Sequence, residues 1–222
     1  RAPTGILSDQ RLRFSNLTFD YVGTLDFGLT EDIRSSFSWG GQSITEIIAS
    51  NTAYGDNFPG PGDPTVSTAG NTLGFESRQR VVTAGFFFQN LFDIKNKYFI
   101  TAGLRVDGNS AFGSDLGLQA YPKVSASWVL SDEDFWGNDG QVKLRAAWGQ
   151  SGRAPGAFDA VRTYNAVGWG GAPAFYPLNV GNSELGPELT TELEFGADAA
   201  FLDNRLAIEF TYYNQVTSDA LF

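Results

Sequence analysis

The sequence predicts an all-β chain, an antiparallel transmembrane β-barrel of which about eight strands are present. Three observations predict it. Apolar and polar residues alternate with period two through most of the chain, and no useful helical period interrupts them. Several alternating runs reach 10 or more residues. A tilted membrane strand needs about 9–11 residues, whereas soluble strands average about 5–6. The connections also tend to alternate short and long, as barrels do with turns on one side of the membrane and loops on the other, although the Ser131–Gly140 turn is longer than that rule asks. A soluble sandwich would alternate too, but with shorter strands and turn signals every 8–12 residues or so, and strand length decides against it.

Taken in order, Leu17, Phe19, Tyr21, Leu25, Phe27 and Leu29 share one face of the first strand, broken only by Gly23, against Asn16, Thr18, Asp20, Thr24, Asp26 and Thr30. Thr30-Glu31-Asp32 is a turn, and a weaker strand with Phe37 and Trp39 on one face loses its phase beyond Gly40-Gly41. Asn51 to Glu76, rich in Gly, Pro, Asn and Asp, reads as a long loop. A strand runs through Arg78, Arg80, Val82, Ala84, Phe86 and Phe88 to Phe92, and after Asp93–Asn96 the next places Tyr98, Ile100, Ala102, Leu104 and Val106 on one face. Past a loop at Gly108–Ala120, Pro122, Val124, Ala126, Trp128 and Leu130 alternate with Lys123, Ser125 and Ser127. A polar turn near Ser131–Gly140 leads to Val142, Leu144, Ala146 and Trp148, and a second long loop spans Ser151–Pro187. The last pair sets Leu193, Phe195, Ala197 and Ala199 against Glu192, Glu194 and Asp198, turns at Leu202–Arg205, and returns through Leu206, Ile208, Phe210 and Tyr212.

Composition removes several function classes. The chain has no Cys and no His, so it lacks a disulfide framework, thiolate metal ligands and the commonest catalytic base. Its carboxylates stand without the partners that would make a catalytic constellation, so no enzyme activity, cofactor or metal is expected. A net charge of −10 disfavours a nucleic-acid partner.

The best ligand-binding candidates are Tyr164, Trp169, Phe175 and Tyr176, which crowd the Ser151–Pro187 loop beside Gly168, Gly170 and Gly171. Aromatic platforms there can stack on a sugar ring or a hydrophobic ligand; the plainer reading packs them against neighbouring loops or the membrane rim. Asp56, Asn57 and Asp63 are oxygen donors, but their spacing matches no calcium loop. Arg105 and Asp107 fall on the polar face and read as a structural ion pair, with each other or with a domain filling the pore, rather than as a substrate contact. Glu188, Glu192, Glu194 and Asp198 form an acidic stripe that reads as a solvated wall. Trp39, Trp128, Trp148 and Tyr212 suit the aromatic girdles of a membrane barrel.

Gly103-Leu104-Arg105-Val106-Asp107-Gly108-Asn109-Ser110-Ala111-Phe112-Gly113 resembles the R-x-D-G-x-S-x-F-G stretch of SusC/RagA-type TonB-dependent receptors. The likeness continues at Tyr121–Trp128, Ser131–Phe135, Lys143–Gly152, Leu185–Glu192 and Asn204–Tyr213, with Lys123 departing where that family often has Ser. The resemblance implies an outer-membrane barrel of 22 strands with an N-terminal plug, importing a glycan, peptide or chelate. It also implies coupling to the TonB complex and, in many members, a SusD-like lipoprotein lid. On that reading residues 1–222 are an internal barrel segment, with the plug and the C-terminal strands outside it. The competing class is a non-transporting surface β-protein, an adhesin or structural module.

Overall fold

The computed structural model describes residues 5–60, 62–137 and 140–220. Ten strands follow one another: β1 (Ile6–Gly28), β2 (Ile33–Asp56), β3 (Asn71–Ile94), β4 (Tyr98–Asn109), β5 (Gln119–Val129), β6 (Gln141–Arg153), β7 (Thr163–Trp169), β8 (Ala172–Asn179), β9 (Glu188–Phe201) and β10 (Leu206–Ser218). Eight form one sheet in the order β1-β2-β3-β4-β5-β6-β9-β10, and β7 and β8 pair with each other apart from it. Every pairing whose register is defined is antiparallel, as a chain of hairpins requires.

The connections sort into two kinds. Tight turns join β3 to β4 and β9 to β10, where Lys95 and Asn96 (φ 56°) and Leu202, Asp203 and Asn204 (φ 54°, 54° and 63°) adopt left-handed backbone. That conformation matches the twist of a two-stranded ribbon. Longer connections lie between β2 and β3, β4 and β5, and β6 and β9 at one end, and the β5–β6 connection, residues 130–140, is the long one at the other.

The chain divides into two compact units, Arg1–Thr18 with Ile44–Val82, and Phe19–Ser43 with Thr83–Phe222. The first contains one end of β1, β2 and β3 and the connection between β2 and β3, with Phe58 buried at 5% exposure. The second carries the rest of those strands and all of β4 to β10. Within it Ala111 is 1% exposed, whereas Leu193, Phe195 and Phe210 are 39%, 48% and 63% exposed. A water-soluble sandwich would bury such residues between two sheets; here they lie open on one face of a single sheet.

Three expectations need correction. The loop expected over Asn51–Glu76 is strand up to Asp56 and again from Asn71. The breakers that suggested a loop are concentrated at Pro59, Gly60, Gly62 and Pro64, and the flanks have ordinary strand chemistry. The loop expected over Ser151–Pro187 contains the β7–β8 hairpin. Its Gly170-Gly171 turn has φ of 58° and 81°, the backbone that a two-residue hairpin loop demands. Finally, β2 continues unbroken past Gly40-Gly41. These glycines hold the strand's phase by admitting neighbours: a Cβ on Gly40 would meet the Phe87 ring, and one on Gly41 the Tyr21 ring, each at 2.5 Å. Gly23 likewise lies beneath the Trp39 indole, which explains the one gap in the apolar face of β1.

Candidate functional site

The second unit presents a wall with two chemically opposite faces. Along the register, Ile100 pairs with Phe92 and Ala126, Leu104 with Phe88 and Pro122, and Val124 with Ala102 and Trp148. The row continues as Ala146 with Phe195, Leu144 with Ala197, and then Tyr212 with Phe195 and Phe210 with Ala197. Opposed residues in an antiparallel pair project from the same side, so these rows make one apolar belt across six strands. Most of its large members are exposed, Phe86 at 56% and Ile208 at 52%. Of the residues expected in girdles, Trp128 stacks on Tyr98 at 6.0 Å near the end of the sheet with short turns, and Trp39 stacks on Phe37 at 5.7 Å. Trp148 and Tyr212 sit within the belt.

The opposite face is polar and engages itself. Arg105 donates from Nε to both Asp107 oxygens at 2.8 Å and from Nη2 to Gln42 Oε1 at 3.0 Å, and Gln42 donates to Asp20 at 2.8 Å. The expected pair therefore forms, as part of a chain reaching β1. Arg145 is a hub. It pairs with Glu194, lies 3.5 Å from Asp198 and 3.3 Å from Glu209, and donates to Thr211 Oγ1 at 2.6 Å. In the acidic stripe, Arg145 meets Glu194 and Asp198, and Arg153 approaches Glu188 at 3.7 Å. A shallow recess of about 390 Å³ is lined by Ala147 and Gly149 together with Lys123, Ser125, Thr190 and Glu192.

Sequence reading missed a cluster at the end with short turns. Glu133, in the β5–β6 connection, accepts from the Tyr98 hydroxyl and from Trp128 Nε1 at 3.0 Å, and pairs with Lys97 at 3.3 Å. The signal was an acidic triplet, Asp132-Glu133-Asp134, just after Trp128, which pairs with Tyr98 beside Lys97. The Tyr98 and Trp128 hydrogen bonds, and then Lys97, hold the Glu133 carboxyl below its ordinary 4.5, with desolvation opposing them. A carboxyl depressed on folding stabilises above its unfolded value, and that stability is lost as pH falls through the folded value. Unfolding followed from pH 7 toward pH 3 or so should thus show a loss beginning near the ordinary carboxylate range. Glu133→Gln should flatten that part of the profile; an unchanged profile would show that the cluster does not couple to folding.

At the other end the long connections are stitched together. Gly113 N–H donates to Leu185 O at 2.9 Å and Asp115 N–H to Ser183 O at 3.0 Å. Asn109 Nδ2 reaches Thr83 Oγ1 at 2.8 Å, and its Oδ1 accepts from Ala111 N–H at 2.8 Å. Asp56 accepts from Asn71 at 2.6 Å, which occupies one of the oxygen donors considered for calcium.

The β7–β8 hairpin carries the aromatic candidates. Tyr164 pairs with Pro177 and Ala166 with Phe175, while Asn165 pairs with Tyr176 and Trp169 with Ala172. Tyr164 and Phe175 therefore share one face, and Tyr176 falls in phase with position 169 on the other. The Trp169 side chain lies outside the described ones. Tyr164, Phe175 and Tyr176 are 53%, 72% and 47% exposed, and the Tyr176 hydroxyl accepts from Asn165 Nδ2 at 2.9 Å. From Thr163 to Val180 no residue is charged. The hairpin thus offers Tyr164 and Phe175 on one face and, on the other, Tyr176 with its Asn165 amide partner, chemistry suited to uncharged or weakly polar ligands.

Comparison with known proteins places this wall among relatives. The family model for the TonB dependent receptor-like β-barrel matches residues 2–222. TonB-dependent receptor P26 of Formosa agariphila is 32% identical over 195 residues, covering 80% of this chain and 19% of that protein. TonB-dependent receptor P39 of the same species is 30% identical over 157 residues, covering 68% and 15%. TonB-dependent receptor SusC of Bacteroides thetaiotaomicron is 24% identical over 167 residues, covering 64% and 15%. The solved structure of the RagAB peptide transporter superposes with a TM-score of 0.90 at 18% identity, covering 97% of this chain and 25% of that one. At that identity the likeness bears on fold alone. The chain spans less than a fifth of the length of these curated relatives.

Proposed function

Because this chain belongs to the TonB dependent receptor-like β-barrel family, we propose that it is a stretch of barrel wall in an outer-membrane nutrient importer. The observation that carries this reading is the two-faced wall. An exposed apolar belt runs row by row across six strands, backed by a face whose arginines are bound to its own carboxylates. Lipid accepts the first face, and a wet, enclosed pore accepts the second. On this reading the short turns face the periplasm and the long connections face outward.

The rest of the machine is the whole protein's: a plug filling the pore, a TonB complex pulling on it, and a SusD-like lipoprotein over the outer face. Relatives named TonB-dependent receptor and SusC support that assembly. This stretch contributes wall and outer loops rather than chemistry. Within the loops, Tyr164, Trp169, Phe175 and Tyr176 form the ligand-contacting hairpin, and its lack of charge favours a glycan or another uncharged solute over a metal chelate. The test is uptake by cells carrying the full-length protein. Dissipating the proton-motive force should abolish uptake of the cognate oligosaccharide or peptide while leaving binding intact. Tyr164→Ala with Phe175→Ala should weaken capture by roughly 2–10-fold per ring. Uptake that survives uncoupling would refute the importer reading, and unaltered capture would remove the hairpin from it.

A further inference from the structure

In the first unit the alternation along the strands runs with the opposite sense. Leu12 and Phe14 of β1 and Leu73 and Phe75 of β3 occupy the phase that is polar farther along each strand, and are 69%, 60%, 56% and 59% exposed. The phase that later carries Leu17 and Phe19 in β1, and Val82 and Ala84 in β3, holds charges here instead. Both strands read the same way toward the apolar series: Asp9-x-Arg11-x-Arg13 in β1 and Glu76-x-Arg78-x-Arg80 in β3. Asp9 and Arg11 of β1, Asn51 to Ala53 of β2 and Gly74 to Glu76 of β3 line one shallow depression, so these stretches lie side by side in this unit.

A strand that continues unbroken while its lipid-phase residues change from apolar to cationic has reached the end of the hydrocarbon. Arg13 stands roughly 13 Å of strand beyond Leu17 and Arg80 roughly 7 Å beyond Val82, at a rise of about 3.3 Å per residue. In each strand the order outward from lipid is arginine, arginine, carboxylate. The outer arginine of each is held by its carboxylate, Arg11 to Asp9 at 3.5 Å and Arg78 to Glu76 at 2.8 Å. The inner ones, Arg13 and Arg80, are exposed and have no ion pair among the described residues. The two cations nearest the bilayer are therefore the two that remain available.

We propose that Arg13 and Arg80, flanked by Arg11 and Arg78, bind the phosphates of a lipid headgroup in the outer leaflet. Guanidinium groups match phosphate oxygens in bidentate geometry, and their stems lie along apolar surface. A lipid source is favoured over a free anion by position. The arginines occupy the phase that becomes lipid-facing. They also stand on β1 and β3 to either side of β2, two strand spacings of about 5 Å apart across the sheet, a separation that a headgroup bearing two phosphates can bridge.

This inference rests on the wall reading, so the test separates them. The full-length protein and its R13Q/R80Q variant are folded into phosphatidylcholine nanodiscs containing either diphosphoryl or dephosphorylated lipid A, and bound lipid is measured by native mass spectrometry. Failure of the unaltered protein to enter any bilayer would refute the wall. With insertion intact, the preference for the phosphorylated lipid should fall about fivefold for each arginine removed. R13K/R80K should retain most of that preference, and the single variants R13Q and R80Q carry the same expectation should the double one fail to fold. Equal preference in protein and variants would overturn the proposal. So would displacement of the bound phosphorylated lipid by inorganic phosphate.

Discussion

Replacing Phe195 by arginine should destabilise the assembled protein by about 2–4 kcal/mol, the depth-dependent cost of a cation on the lipid face of a membrane strand. Phe195 lies near the middle of β9, paired with Ala146 on one side and Tyr212 on the other, and is 48% exposed without lipid. No carboxylate shares its face in those rows, so the guanidinium would have neither water nor a partner unless it deformed the bilayer. The same charge placed on the opposite face of the strand, Glu192→Arg, should cost less than about 1 kcal/mol, because a wet pore solvates it. Urea unfolding of the full-length protein in phospholipid vesicles measures both. Equal effects on the two faces would mean that the belt does not meet lipid.

How much of this was legible in the residues depends on what local pattern encodes. The face assignments of β4, β5, β6, β9 and β10 follow from period-two alternation, because lipid on one side and water on the other fix the side of every residue. Phe195 and Glu194 could be placed on opposite faces without coordinates. The ends of β1, β2 and β3 could not. In β1 the alternation inverts at Arg13, and a pattern that changes sense looks like one that stops; β3 is legible from Arg78, but its first residues, Asn71 to Glu76, are lost among the loop's breakers. The β7–β8 hairpin was overlooked although Gly170-Gly171 is a strong two-residue turn signal, since the surrounding Pro and Gly suggested irregular chain. The aromatic candidates fall in one segment, but their division between two faces depends on the hairpin register. Contacts that skip a strand, such as Arg145 reaching Thr211, need the sheet order, which sequence does not state.

That skipping contact leads to the second large effect. Arg145 on β6 is opposite Gly196 on β9, and Gly196 is opposite Thr211 on β10. A Cβ on Gly196 would stand 2.5 Å from the Arg145 Cζ and 2.6 Å from its Nε. The guanidinium therefore crosses β9 through the gap left by a missing side chain, and only so reaches Thr211 and Glu209. Arg145→Ala should cost about 2 kcal/mol. Charged hydrogen bonds are worth about 1.5–3 kcal/mol each, discounted because Asp198 and Glu209 keep 42% and 76% exposure. Gly196→Ala should cost about 1–2 kcal/mol in the native background, against the usual gain of roughly 0.5–1 kcal/mol for removing a strand glycine. In the Arg145→Ala background the same alanine has nothing to displace, so its effect should become neutral or favourable. A coupling of about 2 kcal/mol between the positions, read from a double-mutant cycle in vesicles, would establish the crossing. If Gly196→Ala costs the same with and without Arg145, the glycine serves the backbone alone, and the hub's reach to β10 does not depend on it.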